Sequence, residues 1–383
     1  MPFLIAALTA RAGVPEFLQQ HWQRPLPPQG APPATYSELE ASLDPDACGS
    51  CHPDQRRDWG ASLHSHAMGP GLMGQLLEMA PQARDDQQSC LRCHAPLAEQ
   101  ADALVAEIQG GAANALHRRG VVCAACHVRD HRRYGPARRD GSQPDPQQPL
   151  PHSGWTASEA FADSAFCAAC HQFDTDGFAL NGKLLENTYR EWQASPYAEQ
   201  GVTCQRCHMP DRRHLWKGVH DPATVRDGVS IDARLDHSDG QRVGARLRLT
   251  NSGTGHRLPT YVTPQLVLAA YQLDAEGSII DGSEEYQVIG RRVSADLSEE
   301  LFDTRLAVGE SASLVYRQPR AAGATALLVQ VWVDPDFFYA QFYRNWLDVN
   351  PEGRGSGAIR QALHNAEAAR YTLFEQRLSL TTL

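Results

Sequence analysis

The pattern Cys-x-x-Cys-His occurs five times in this chain, and the five copies contain all ten of its cysteines. The cysteine pairs are Cys48 and Cys51, Cys90 and Cys93, Cys123 and Cys126, Cys167 and Cys170, and Cys204 and Cys207, followed by His52, His94, His127, His171 and His208. This is the pattern of covalent c-type haem attachment, in which both thiols bond to the porphyrin edge and the adjacent histidine binds the iron. The sequence therefore predicts five covalent haem c groups in an array of similar sites, with these cysteines as attachment points and these histidines as proximal ligands.

Other cysteine chemistries fit this pattern less well. A zinc site combines cysteine pairs so that they close one tetrahedron, and it does not need a histidine directly after every second cysteine. A thioredoxin-like dithiol needs one motif in a βαβ setting, not five. A disulfide scaffold would not give such uniform spacing. The number of repeats therefore favours haem over all three.

The net charge and the haem motifs together indicate the partners and the cellular compartment of the protein. The formal net charge is −10, and haem propionates would make the protein more acidic, so we expect basic or metal-containing redox partner proteins and no nucleic acid. No apolar run approaches the roughly 20 residues that span a bilayer. Covalent haem attachment implies assembly outside the cytoplasmic membrane, hence a periplasmic or extracellular protein. The apolar segment Pro2–Ala10 lacks a preceding basic region, so export is inferred from the haems, and an N-terminal membrane anchor stays open.

The chain divides into four predicted zones. Residues 1–40 hold the apolar segment and a Pro-rich linker, RPLPPQGAPP, that we expect to be extended and exposed. Residues 41–225 hold the five motifs, one every 33 to 44 residues, and such short segments bury too little apolar surface to fold without the porphyrins. Residues 226–350 contain no cysteine and are predicted to be a β domain. Residues 351–383 are predicted to form a helix, IRQALHNAEAARYTLFEQ, and a tail.

The predicted fold class is α+β, with a mainly α-helical, loop-rich pentahaem domain followed by an immunoglobulin-like β-sandwich and a C-terminal helix. The strands are predicted from alternating apolar and polar residues. The five alternating segments are Val229–Leu235, Val243–Thr250, Gln265–Leu273, Ser311–Arg317 and Leu327–Val333. Several short strands joined by turns within about 125 residues are typical of a sandwich. The cysteine pair and the tryptophan pattern of true immunoglobulin domains are absent from residues 226–350.

The sixth position of each iron decides the chemistry. An iron with a second histidine carries electrons, whereas an open iron can bind a small molecule. We expect second ligands among His64, His152, His214, His220 and His256. His64 and His66 are two residues apart and point in different directions, so one iron cannot use both. His66, His117 and His131 are weaker candidates, His21, His237 and His364 are expected on the solvated surface, and Met68, Met73, Met79 and Met209 are expected to pack rather than bind iron.

Residues from about 45 to 222 resemble a known family. Trp59-Gly-Ala-Ser62-Leu-His64 is similar to the W-x-x-S-x-H signature of multihaem cytochromes related to the tetrahaem cytochrome of ammonia oxidisers and to hydroxylamine oxidoreductase. The stretches Tyr189–Ser195 and Gly201–Pro210 resemble the last-haem region of that family. The loop Gly255–Thr260 resembles one in members with an appended β domain, where the histidine is suspected of binding haem. The resemblance implies α-helical haem packing, bis-histidine ligation of most haems and periplasmic or extracellular electron transfer.

Two functions from different classes follow. The favoured one is a non-enzymatic electron carrier with five bis-histidine haems, because eleven of the sixteen histidines remain outside the motifs. The alternative is an oxidoreductase with one open haem acting on a small nitrogen or sulfur compound, lined by His131, Arg132, Arg133 and Tyr134 as proton donors. A filament or other oligomer, with a histidine donated between subunits, is a third arrangement that no residue specifically supports.

Overall fold

The computed structural model describes residues 13–80, 82–110, 115–145 and 147–380. The apolar segment Pro2–Ala10 lies outside these residues. Within the part of the chain that the structure describes, every helix is too short or too polar to cross a membrane.

The chain folds into two compact units, each built from separate segments. The first contains the described residues up to Cys170, together with Val202–Trp216 and Glu352–Gln361. The second contains His171–Gly201, Lys217–Pro351 and the residues from Ala362 onward. The four consecutive zones predicted above were defined by motif content, and as domains they remain a prediction.

Short helices joined by loops dominate the first unit. The α-helices of the residues that the structure describes are α1 (Val14–His21), α2 (Glu38–Ala41), α3 (Pro45–Gly49), α4 (Pro53–Gly60), α5 (Pro70–Glu78), α6 (Arg84–His94), α7 (Ala98–Ile108), α8 (Cys123–His127), α9 (Ala165–His171), α10 (Thr188–Gln193), α11 (Pro196–Glu199), α12 (Cys204–His208), α13 (Pro222–Gly228), α14 (Phe337–Val349) and α15 (Ser356–Ala368). Several begin with proline, whose missing N–H has no helical partner at that position. Four of the five motifs end a helix at their histidine, namely α6, α8, α9 and α12.

The apolar side chains of the first unit gather in separate clusters. One contains Met68, Met73 and Leu76 from the segment around α5, with Met79 packed against it, so these methionines pack as expected. Another contains Leu26 of the Pro-rich segment and Leu97. Because Leu26 is buried, the Pro-rich segment is anchored at this residue and is not exposed along its whole length as predicted.

Two antiparallel sheets form the larger part of the second unit. In the described part of the chain the strands are β1 (Val128–Arg129), β2 (Arg132–Gly135), β3 (Thr156–Ala157), β4 (Ala179–Leu180), β5 (Lys183–Leu184), β6 (Val229–Ser238), β7 (Arg242–Asn251), β8 (Gln265–Leu273), β9 (Glu285–Val293), β10 (Glu300–Asp303), β11 (Ser311–Pro319), β12 (Ala326–Asp334) and β13 (Tyr371–Ser379). One sheet has the order β10-β9-β8-β12-β13 and the other β11-β7-β6. All five predicted strand segments are strands.

The two large sheets share one apolar core. Leu249 of β7, Tyr316 of β11, Leu268 of β8 and Val331 of β12 belong to a single buried cluster. Strand β7 alternates between buried and exposed residues, as a strand with one face on a core should. The arrangement is α+β with two sheets face to face, and the immunoglobulin-like topology remains a prediction.

The predicted C-terminal helix is too long by about two turns. It was predicted from Ile359 to Gln376, but α15 ends at Ala368. The residues that follow form β13, which pairs antiparallel with β12 from Ala326↔Ser379 to Val333↔Tyr371. Leu373 of this run is buried, and Phe374 and Leu378 pack against the same core. The aromatic and β-branched residues of the run favour a strand once an edge is available.

Candidate functional site

All ten motif cysteines are free thiols in the structure. Thiols, and not disulfides, are the groups that form thioethers with a porphyrin, so the donor chemistry fits covalent haem. Two motif histidines also show the hydrogen bond typical of imidazoles that bind a metal. The Nδ1 atom of His94 lies 2.8 Å from the Ala67 carbonyl oxygen, and that of His127 lies 2.8 Å from the Tyr134 carbonyl oxygen. Donation from Nδ1 fixes the tautomer and makes Nε2 the nitrogen for iron.

The expected similarity of the five sites does not hold for Cys51 of the first motif. Cys51 is exposed and lies in the turn between α3 and α4, whereas the second cysteine of every other motif lies inside a helix. The helix is interrupted because Pro53 begins α4, and a residue that precedes proline is disfavoured in helical conformation. The Cys51 N–H donates to the Cys48 carbonyl oxygen at 3.2 Å. Cys51 and Cys207 are the exposed thiols among the ten, so these two predicted attachment points lie at the surface.

Cysteines of different motifs contact one another. The hydrogen bond between the Cys48 and Cys123 thiols lowers the pKa of Cys48 to about 7 and raises that of Cys123. These residues belong to the first and third motifs. Because each cysteine marks a porphyrin edge, their contact places the first and third attachment sites side by side.

The second and fifth motifs both contact the fourth. The thiols of Cys93 and Cys170 hydrogen-bond, which lowers the pKa of Cys93 to about 7, and Cys170 Sγ lies 4.0 Å from the Arg92 carbonyl oxygen. A corresponding bond with Cys167 lowers the pKa of Cys204 to about 7. The backbone N–H of Cys204 also donates to Ser164 Oγ at 2.9 Å. The fourth motif thus adjoins two others.

Aromatic side chains connect the third motif with the fourth. The ring of Phe161 stacks on His127, with centroids 5.1 Å apart and planes 13° apart. Phe161 also contacts Phe166, with centroids 4.6 Å apart, and Phe166 directly precedes Cys167. The Gln205 side chain of the fifth motif donates to the carbonyl oxygens of Phe161 and Asp163. All five attachment sites are therefore connected, from the first through the third to the fourth, with the second and fifth beside the fourth.

His214 lies next to a motif histidine. Its ring centroid is 6.2 Å from that of His127, and the planes are inclined by 38°. Two metal–imidazole bonds of about 2 Å on opposite sides of one iron, plus about 1.1 Å from each nitrogen to its ring centroid, give a separation of about 6 Å. The Nδ1 atom of His214 donates to the Arg212 carbonyl oxygen at 3.1 Å. The centroid separation equals the one expected for two imidazoles bound to one metal, and ligation by His214 remains a prediction.

A buried carboxylate holds the His214 segment. Asp58 of α4 accepts two hydrogen bonds of 2.6 Å from the Arg213 guanidinium and one of 3.2 Å from the His214 backbone N–H. The hydrogen bond from Arg213 holds the pKa of Asp58 below its usual range. Burial lowers the pKa of His214, which keeps its ring neutral, as iron binding requires.

His64 and His66, which follow the first motif in the sequence, lie in one segment rich in turns. The His64 ring meets Trp216 edge-on, with centroids 4.6 Å apart, and the His64 carbonyl oxygen accepts the Val121 N–H at 2.8 Å. The Nδ1 atom of His66 lies 2.9 Å from the Ser62 carbonyl oxygen. His66 therefore has the hydrogen bond of a metal-binding imidazole, although the sequence ranked it below His64.

His152 sits in a strained loop. His152, Ser153 and Gly154 all have positive φ angles, of 44°, 59° and 72°, and such strain in non-glycine residues is concentrated at functional sites. The His152 N–H donates to Glu40 Oε1 at 2.7 Å, and its carbonyl oxygen accepts the Tyr36 hydroxyl at 2.9 Å. Its Nδ1 atom lies 2.9 Å from the Gly154 carbonyl oxygen. Hydrogen bonds of the His152 N–H and carbonyl oxygen therefore hold the loop in place, and Nδ1 of His152 donates to the Gly154 carbonyl oxygen.

His256 and His220, the remaining two predicted second ligands, use different ring nitrogens in their hydrogen bonds. The Nδ1 atom of His256 lies 2.8 Å from the Arg257 carbonyl oxygen, which is the metal-binding pattern. His220 instead places Nε2, the usual iron-binding nitrogen, 2.9 Å from Asp336 Oδ2. In this structure His220 is therefore bonded to Asp336 through Nε2.

One histidine expected at the surface is buried. His21 of α1 is 3% exposed, stacks on Phe17 with centroids 4.8 Å apart, and donates from Nε2 to the Cys126 carbonyl oxygen at 2.8 Å. Burial, with the nearby Arg129 charge, lowers its pKa to about 3. The spacing of Val14, Phe17 and His21 on one helical face was the available signal. His237 and His364 are exposed as expected.

The residues proposed to line an open haem bind the backbone instead. His131 is buried, and its Nε2 lies 3.0 Å from the Gly30 carbonyl oxygen. The Arg133 guanidinium donates to the carbonyl oxygens of Glu40 and His131. The Tyr134 carbonyl oxygen accepts from His127. The contacts of His131 and Arg133 hold loops in place and account for the positions of these two side chains.

Comparisons with known proteins agree with the attachment pattern. The family described as cytochrome c554 and c-prime matches residues 47–128, which include the first three motifs. No curated protein sequence matches the chain. The crystal structure of a penta-haem cytochrome c552 from Thermochromatium tepidum is similar in fold, at 19% identity and a TM-score of 0.63, over 90% of this chain and 100% of that one.

A β-glucuronidase from Bacteroides uniformis matches 27% of this chain and 11% of its own, at 10% identity and a TM-score of 0.17, which is too low to carry an argument. The narrower relation to hydroxylamine oxidoreductase stays a prediction. The motifs, the family match and the shared fold together support the identification of this chain as a multihaem c-type cytochrome.

Proposed function

We propose that the chain carries five covalent haem c groups and transfers electrons between redox partner proteins outside the cytoplasmic membrane. The observation that carries the proposal is the continuous set of contacts among the five attachment sites. The Cys48–Cys123, Cys93–Cys170 and Cys167–Cys204 contacts and the stacking of Phe161 on His127 leave no attachment site separate from the rest. When bound, haem supplies the reversible iron couple that such a chain of sites needs.

The residues of this chain would fix each iron at two positions. The motif histidines His52, His94, His127, His171 and His208 bind from one side. We propose His64, His152, His214 and His256 as second ligands, the latter three because Nδ1 donates to a carbonyl oxygen. The fifth second ligand is then His66 or His220. Of these two, His66 has the metal-binding hydrogen bond, whereas His220 would have to leave Asp336.

The choice of electron transfer over catalysis rests on this supply of second ligands. A carrier needs filled iron positions, whose geometry changes little on reduction. Two of the four side chains that an open haem would use as proton donors, those of His131 and Arg133, are bonded to backbone groups instead. The net charge of −10 favours partners with basic docking surfaces. Further copies of the chain are also candidate partners.

The experiment is to produce the protein with the c-type maturation machinery in a bacterial periplasm, count haem per chain, and add reductant below one electron per haem. We expect five haems per chain and a single redox equilibrium, in which the electrons distribute over the haems according to their midpoint potentials and the spectra at a given potential are the same on reduction and on reoxidation. Fewer than five haems would contradict the cofactor count. A haem whose reduction lags behind this equilibrium distribution would contradict a connected electron path.

A further inference from the structure

The loop Gly255–Thr260, which carries His256, is held by a buried carboxylate. Glu191 Oε2 accepts the Arg257 backbone N–H at 3.2 Å and the Thr260 hydroxyl at 2.9 Å. The Glu191 side chain is only 7% exposed. A carboxylate removed from water in this way is stable only where donors surround it, and here two of those donors belong to the loop.

Arg305 binds both the Glu191 carboxylate and the loop. Arg305 Nη1 lies 3.1 Å from Glu191 Oε1 and donates to the Thr260 carbonyl oxygen at 2.7 Å. Arg305 is itself 5% exposed at its side chain and is bonded to Asp303. The loop is also bridged at Leu258, which exchanges two backbone hydrogen bonds of 2.9 Å with Leu306. The backbone next to His256 is therefore fixed at both ends of the loop.

The His256 peptide and ring are fixed within the loop as well. The His256 carbonyl oxygen accepts from Asn251 Nδ2 at 3.0 Å and from Thr254 Oγ1 at 2.7 Å, and Asn251 is fully buried. The ring donates from Nδ1 to the Arg257 carbonyl oxygen at 2.8 Å. The His256 ring therefore donates to the carbonyl oxygen of Arg257, and Glu191 accepts the N–H of the same residue. Glu191 acts on the orientation of the ring through Arg257.

Glu191 lies on α10, and the other end of this helix is tied to the fourth motif. Gln172, which directly follows His171, accepts the Arg190 backbone N–H at its Oε1 atom at 3.0 Å and donates from Nε2 to Asn187 at 3.0 Å. The proximal histidine His171 and the loop of His256 are thus both attached to one helix of six residues. The loop also packs directly on it, since a methyl group at Gly255 would lie 3.3 Å from Trp192 Cδ1.

We propose that Glu191, supported by Arg305, is a positioning residue that holds His256 as the second ligand of the iron bound by His171. The inference rests on the proposed haem-binding function and identifies the residues that hold the second ligand of one iron. Removal of the carboxylate would leave Arg305 and two loop donors without an acceptor in a buried setting, which favours displacement of the loop. The iron would then lose His256 for part of the time and bind carbon monoxide when reduced.

The test compares haem-loaded variants by absorption, by electron paramagnetic resonance and by carbon monoxide binding, with haem content measured for each. His256→Ala is expected to open one haem in five. Glu191→Ala is expected to open a smaller fraction of the same haem, and Glu191→Gln, which keeps one acceptor oxygen, a smaller fraction still. Added imidazole should restore the low-spin spectrum in each. A crystal structure of the carbon monoxide complex of His256→Ala should place the ligand on the iron bound by His171.

The matched control is Glu300→Ala. Glu300 is also a buried carboxylate paired with an arginine of the same unit, Arg291, at 2.8 Å, but its hydrogen bonds do not reach the loop Gly255–Thr260. It should lower stability without opening a haem. Glu191→Ala with five haems and an unchanged spectrum would overturn the positioning role, and a closed haem in His256→Ala would overturn the ligand assignment. An open haem in the unsubstituted protein would contradict the proposed carrier function instead, and His256→Ala would then open a second.

If Glu191→Ala does not accumulate, Glu191→Gln decides the matter by redox titration. A change of ligand occupancy shifts the midpoint potential of one haem and leaves four unchanged. No shift in any midpoint would overturn the proposal.

Discussion

The imidazole rings of His127 and His214 have centroids 6.2 Å apart and planes inclined by 38°, a separation that accommodates one iron between them. His214→Ala is therefore expected to convert one fifth of the haem from low to high spin, with carbon monoxide binding on reduction, and added imidazole should reverse both changes. Electron paramagnetic resonance of the oxidised protein measures this fraction. His237→Ala is the control, because His237 is exposed and bonded to Asp239. An unchanged low-spin spectrum in His214→Ala would remove His214 from the ligand set.

The nitrogen that each histidine uses distinguishes the two remaining candidates for a second ligand. His66 donates from Nδ1 to a carbonyl oxygen, whereas His220 places Nε2 against Asp336. We expect His66→Ala to produce one open haem and His220→Ala to produce none. Carbon monoxide difference spectra of the two variants check this. The opposite outcome would mean that His220 leaves Asp336 when haem is attached.

Gly120 controls the position of His64. Its φ angle is +66°, and a Cβ atom there would lie 2.3 Å from the His64 carbonyl oxygen. Gly110 has a φ angle of +77° with no atom within 4 Å of that position, so it isolates the backbone strain. Gly110→Ala should cost about 1–2 kcal/mol of unfolding free energy. Gly120→Ala should cost about 1–3 kcal/mol more because backbone must move.

Denaturant unfolding compares the two glycine variants, and the high-spin fraction provides a second measurement. Gly120→Ala should raise that fraction through displacement of His64, and Gly110→Ala should not. Equal losses of stability with unchanged spectra would show that the approach of Gly120 to His64 has no role in iron binding.

Asp303 makes the second unit sensitive to acid. Burial alone would raise the pKa of Asp303, but hydrogen bonds from Arg305 and Lys183 outweigh it and hold the pKa well below the usual range. Its stabilising contribution is therefore present above pH of about 4, the ordinary carboxyl range, and is lost as the pH falls through the lowered value. Asp303→Asn should destabilise the protein at pH 6, and the difference from the unsubstituted protein should shrink as the pH falls toward 2.

Urea unfolding at several pH values, followed by circular dichroism, measures that difference. Asp232→Asn, at an exposed position of β6, is the control. A difference between Asp303→Asn and the unsubstituted protein that is independent of pH would contradict the assignment of the effect to the Asp303 charge.

Local sequence patterns predicted five of the eight strands in the two large sheets, and they are the basis on which the attachment sites are predicted. The Cys-x-x-Cys-His spacing is a local chemical requirement, and the alternation in β7 and β12 reflects one core that each strand faces. Strand β9 was missed because Arg291 interrupts its apolar pattern, and this arginine is buried only because Glu300 and three carbonyl oxygens surround it. Strand β13 was missed because its pairing partner β12 lies about 45 residues earlier.

The contacts between attachment sites could not be predicted from the sequence. Cys48 and Cys123 are 75 residues apart, and no local pattern relates them. The choice among the candidate second ligands could not be predicted from the sequence either. The criterion for that choice is the hydrogen-bond acceptor of the Nδ1 proton, which depends on the folded structure. His21 was wrongly expected at the surface. Three aromatic neighbours that are distant or unremarkable in sequence, Phe17, Phe161 and Phe166, surround its ring and make it a core residue.

The central claim is a carrier of five haems whose irons all have two histidine ligands. The most direct test is the absorption spectrum of the haem-loaded protein, oxidised, reduced, and reduced under carbon monoxide. The account predicts five haems per chain, low-spin bands throughout and no change with carbon monoxide. A high-spin component near one fifth of the total that shifts with carbon monoxide would contradict it and would identify an open iron suited to catalysis.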